Sequence, residues 1–215
     1  MIWIFGDSFS VKFGDVSADS PPEFDRYIKL KGYSPKMYYE LLSEEYDEPI
    51  NNFSRGGMSN DYIFLKFMEN YKNINENDIV IFGWTDVTRF KYVKDRKWVG
   101  SNTKPNGDLT KNTIEEIKLN RMNSLYCEEL LTMINFIDNL LPNNNVIHWS
   151  WNHESNKYET INIETNGEIV DHHYSENGHK VFYELLSKQL KETNHIRENL
   201  SYINEEINKN KNRLI

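Results

Sequence analysis

The chain opens on Ile2-Trp3-Ile4-Phe5 followed at once by Gly6-Asp7-Ser8, and this limits the fold more than any other stretch. Four consecutive large apolar residues predict a strand covered on both faces, which is the habit of parallel sheets flanked by helices. Gly6, Asp7 and Ser8 then stand at the carboxyl end of that strand, where open α/β sheets hold their ligands. Here Gly6 is read as a residue free to take positive φ, and Ser8 as a hydroxyl directed into a crevice. Gly-Asp-Ser is also ordinary turn chemistry, so alone it does not separate a nucleophile from a turn.

The pattern recurs along the chain. Asp78 to Phe82 runs into Gly83-Trp84-Thr85-Asp86, Asn145 to Trp151 reads as a fourth strand, and residues 48–53 as a short second one. Helical periods lie between them. Ser34-Pro35 opens a helix through Met37, Tyr38, Leu41 and Leu42, and a second carries Ile63, Phe64, Phe67 and Met68. A long period runs from Thr113 to Leu141, and Ser175 caps a helix with Val181, Phe182, Leu185, Leu186 and Leu190. Strands alternating with helices predict a three-layer α/β/α sandwich on a flavodoxin-like parallel sheet. Residues 11–33 read as a long loop over the crevice, and residues 90–112 as a hairpin or flap turning at Asn106-Gly107.

A chain of 215 residues with 38% hydrophobic content supports one core, so residues 1–191 are expected to form a single domain, with 192–215 as a helical extension. That extension, through Ile196, Leu200, Ile203 and Ile207, is expected to pack back, pair with another copy or dock on a larger assembly. The net charge of −8, without a basic cluster, argues against nucleic acid as a partner. No apolar run approaches the roughly 20 residues of a membrane helix, and with Ser8 so near the start no signal peptide is expected. A cytoplasmic product is therefore expected, with lysis or incorporation into a virion as the routes to a role outside a cell. The abundance of Asn, Lys, Ile and Tyr suits an AT-rich coding sequence, as in a low-GC bacterium or phage. The single cysteine, Cys127, reads as a small buried thiol.

Ser8 is answered far down the chain by Asp171-His172-His173-Tyr174-Ser175-Glu176-Asn177-Gly178-His179. A carboxylate close before a histidine, just ahead of a helix start, can supply the orienting acid and general base of a serine nucleophile. A metal site from Asp171, His172, His173 and His179 is the competing reading of residue types alone. His148 reads as a sheet residue, and His153 as a residue of the crevice rim.

Four blocks, Gly6-Asp7-Ser8, Asn52 to Asn60, Gly83-Trp84-Thr85-Asp86 and Asp171 to Gly178, together resemble the SGNH (GDSL-type) hydrolase family, in its order and from residue 2 to about 190. The resemblance implies an ester hydrolase that needs no cofactor, acting on a small or glycan acyl ester. Ser8 would be the nucleophile, His173 the base, counted back from Gly178, and Asp171 the acid, two residues before the histidine where the family has three. The Ser8 and Gly57 amides would form the oxyanion hole. Thr85 stands where the family has an asparagine, which leaves open a hole completed by Thr85 or Asn60, or a weakened hole. Asp7, Trp84 and Arg89 are candidate substrate contacts, with a surface ion pair as the other reading of Arg89. Phe90, Tyr92 and Trp98 suit a sugar ring or aryl group, or serve only to pin the flap. The alternative to an enzyme is a binding or structural protein on the same fold, such as a virion component.

Overall fold

A computed structural model describes residues 1–86, 89–94, 97–101, 124–150, 160–163, 169–198, 200 and 203. Its centre is a five-stranded sheet in the order β2 (Ile50–Asn52), β1 (Ile2–Gly6), β3 (Ile79–Trp84), β6 (Asn145–Ser150) and β9 (His195–Glu198). Every neighbouring pair is parallel. The chain leaves β1 first to one side and then to the other, which opens a crevice beyond the carboxyl ends of β1 and β3.

Alternation sorts the strand residues between two cores. Ile2, Ile4, Ile79, Ile81, Ile147, Trp149 and Ile196 face α2 (Tyr38–Tyr46) and α5 (Glu176–Leu190), meeting Tyr38, Leu42, Phe182 and Leu186. Trp3, Phe5, Val80, Phe82, Trp84 and Val146 face the opposite way, onto Ile63 and Phe67 of α3 (Asn60–Asn70) and Leu130, Ile134 and Ile137 of α4 (Ser124–Leu140). The result is a mixed α/β fold with helices on both faces of a parallel sheet. Cys127 is buried in the second core.

Two expectations are revised. Residues 11–33 are not a plain loop, because Pro22–Lys31 forms α1, with proline in its first turn and Gly32 closing it at φ 79°. The chain beyond 191 is not simply a helical extension. His195–Glu198 supplies the edge strand β9, and Leu200 and Ile203 are buried in the second core, while 204–215 lie outside the described residues. A hairpin of β4 (Phe90–Lys94) and β5 (Lys97–Ser101) follows β3, with Lys94 paired to Lys97, while the turn read at Asn106-Gly107 lies outside the described residues. Thr160–Ile163 forms β7, antiparallel to β8 (Ile169–Tyr174). His153 and residues 113–123 lie outside the described residues. No helix among the described residues is long and apolar enough to cross a membrane.

Candidate active site

Beyond β1 the chain turns into a single 3-10 turn, Ser8–Ser10, capped by Asp7, whose carboxylate accepts the Phe9 amide at 3.0 Å. This turn carries Ser8 to the crevice. His173 arrives on β8, and its Nε2 lies 2.8 Å from Ser8 Oγ. Both residues are nearly enclosed, at 4% and 5% exposure. Phe9 lies 4.5 Å from the His173 ring and Phe24 of α1 meets its edge at 5.0 Å, while Phe13 stacks on Phe24. The imidazole is thus walled by aromatic rings on two sides, which fixes its plane.

Asp171 and His172 belong to β8 by their backbone, and their side chains lie outside the described residues. His179 falls one turn into α5, among Phe13, Tyr38 and Tyr174. Both its ring nitrogens lack a hydrogen-bond partner, and burial, with the nearby His173, holds its pKa down at about 3. A neutral, enclosed imidazole of this kind is poorly suited to act as a base.

The candidate oxyanion donors are backbone groups. Gly57 takes φ 72°, a conformation that favours glycine, just before α3. Among the described residues, neither the Ser8 N–H nor the Gly57 N–H is spent on another protein group. Asn60 grips the Thr85 backbone from both sides, accepting from its N–H at 2.9 Å and donating to its carbonyl at 3.0 Å. One amide hydrogen of Asn60 remains. Thr85 itself is fully buried and its hydroxyl has no hydrogen-bond partner, so in this structure the hydroxyl is closed to a substrate.

Two expected substrate contacts are corrected. Trp84 is fully buried in the second core, stacked on Phe82, and its indole N–H donates to His148 Nδ1 at 3.1 Å. Asp7 is also fully buried, with one oxygen on the Phe9 amide and the other on Arg89 Nη1 at 2.9 Å. Arg89 is therefore in an ion pair, as its second reading had it, but with a carboxylate that is fully buried rather than at the surface. His148 is a satisfied sheet residue, bonded to Trp84 and Asp138.

The reason for Gly6 is not legible in its local sequence. Its φ is not positive. Instead a Cβ at Gly6 would lie 2.8 Å from Ser10 Oγ, and one at Gly83 would lie 2.9 Å from the same atom. The two glycines form a seat for the turn that carries Ser8. For α1 a local signal does exist, in Phe24, Tyr27 and Ile28 at helical spacing between Pro22 and Gly32.

No family model matches the chain, and no curated protein matches it.

Proposed function

We propose that the chain is a serine ester hydrolase of the SGNH type. The observation that carries this reading is the 2.8 Å contact between Ser8 Oγ and His173 Nε2, made between opposite ends of the chain at the crevice of the sheet. In the proposed reaction Ser8 Oγ bonds to the ester carbonyl carbon as its proton passes to His173 Nε2. The negative oxygen that forms is held by the Ser8 and Gly57 amides, with the remaining Asn60 hydrogen as a third donor. Collapse breaks the bond to the alcohol, which takes the proton from His173. Water then repeats the sequence on the acyl-serine, releasing the acid and restoring Ser8. Asp171 is the acid assigned to hold the imidazole tautomer, and no step needs a cofactor.

The small exposure of Ser8 and His173 and the aromatic wall of Phe9 and Phe24 support a short acyl group such as acetyl, on a sugar or other small alcohol. The enclosed Thr85 hydroxyl favours a second reading, a fold that binds a ligand and has lost most of its turnover. Labelling with a fluorophosphonate, followed by mass mapping, separates the two. Modification at Ser8 that is abolished in His173→Ala supports the hydrolase; an unlabelled, folded wild-type chain sinks it in favour of the binding protein.

A further inference from the structure

Asp7 is the residue immediately before the proposed nucleophile, so its backbone ψ sets the direction of the Ser8 N–H. It stands at ψ −155°, held there by a carboxylate with both oxygens engaged. A buried carboxylate keeps its place only while its charge is compensated. Arg89, 12% exposed in its side chain and 82 residues away in sequence, provides a positive charge at 2.9 Å. Arg89 also closes a turn through its own N–H to the Asp86 carbonyl at 3.0 Å, directly ahead of β4.

We infer that Arg89 is a positioning residue. Through Asp7 it aims both the hydroxyl and the amide of Ser8, and it makes the seating of the β4–β5 hairpin an input to the nucleophile. The inference rests on the esterase reading above. Loss of the guanidinium removes the charged partner of a fully buried carboxylate, which loosens the cap on Phe9 and lets the Ser8 turn rotate. A displacement of about 1 Å at a reacting atom costs on the order of 100-fold in rate.

The test is hydrolysis of 4-nitrophenyl acetate, with fluorophosphonate labelling of Ser8, by the wild-type chain, Arg89→Ala and Arg89→Lys. The expected result for Arg89→Ala is a kcat about 100-fold lower with KM unchanged, partly restored by added methylguanidinium. Arg89→Lys, which keeps the charge but not the planar fork, falls between the two. A raised KM with kcat intact would make Arg89 a substrate contact and overturn the inference, as would full activity in Arg89→Ala. If Arg89→Ala does not fold by near-ultraviolet circular dichroism, the kcat and KM of Arg89→Lys decide on the same terms. An inactive, unlabelled wild-type chain removes the esterase reading and this inference together; an active wild type with an equally active Arg89→Ala removes the inference alone.

Discussion

Gly6 and Gly83 lie opposite each other on β1 and β3, and the Ser10 side chain fills the space that a Cβ at either position would need. The consequence differs between the two. At Gly6 both Ser10 Oγ and Ser10 Cβ are too close, at 2.8 and 2.9 Å, whereas at Gly83 the closest atom of Ser10 is the hydroxyl, with Trp149 next at 3.1 Å. Either alanine overpacks the seat, at a cost of about 1–3 kcal/mol in denaturant unfolding, and slows labelling of Ser8. Adding Ser10→Ala is expected to recover part of the Gly83→Ala loss and little of the Gly6→Ala loss. Equal recovery in both double variants would show that the turn does not rest on this pair as described.

Thr85 gives a cleaner separation of stability from chemistry. Its hydroxyl is buried without a partner while its backbone is held by Asn60. Thr85→Val keeps the shape and removes the orphaned group, so it is expected to raise the unfolding free energy by about 1 kcal/mol. Labelling of Ser8 should be unchanged. A loss of labelling of 100-fold or more, with the fold intact, would instead make the Thr85 hydroxyl an oxyanion donor that opens when substrate binds.

What could be read beforehand was whatever a local pattern carries. Ser8 and His173 each sit where an apolar strand gives way to a turn or a helix start, so each could be named without knowing the other's position in space. Trp84 shares its phase with Val80 and Phe82, and that alternation already pointed it into the core. Its place in a motif at the strand end outweighed the pattern. Asp7 is a different case, because its burial depends on an arginine 82 residues later and no local signal announces such a pair. The Gly6, Ser10 and Gly83 seat needs three positions on two strands and a turn. Strand β9 was hidden because four residues, His195 to Glu198, are too few to establish a period of two, and Ile196, Leu200 and Ile203 also fit a helical stripe.

That edge strand is held by side chains as well as by its pairing with β6. Asp138 of α4 accepts from His148 at 3.1 Å, His195 at 2.9 Å and Arg197 at 2.7 Å. Burial would raise its pKa, but the His148 and Arg197 hydrogen bonds outweigh this and hold it well below the usual carboxylate range. Asp138→Ala leaves the fully buried His148 with an unpaired N–H, removes the carboxylate from His195, and leaves Arg197 with its bond to Asn135. The expected loss is about 2–3 kcal/mol, and amide exchange should accelerate in β9 before it does in β1. Uniform acceleration across the sheet would mean that β9 does not open separately.

Acid is expected to unfold the protein earlier than its carboxylates alone would require, and His179 provides the means of testing this. Its folded pKa of about 3 lies below the ordinary histidine value of about 6.5. Above pH 6.5 both folded and unfolded states are neutral at this residue and it contributes no pH dependence. Below that, the unfolded chain takes a proton that the folded one refuses, so stability falls by about 1.4 kcal/mol per pH unit down to the folded pKa. Burial shifts His148 in the same direction. His179→Leu removes one of the two protons from this balance, together with two buried nitrogens that have no partner. Its stability relative to wild type should therefore be about 2 kcal/mol more favourable at pH 5 than at pH 7.5, as measured by urea unfolding at the two pH values. An equal difference at both would mean that folded His179 accepts a proton after all, which would require a partner for its ring and reopen the assignment of His173 as the only base.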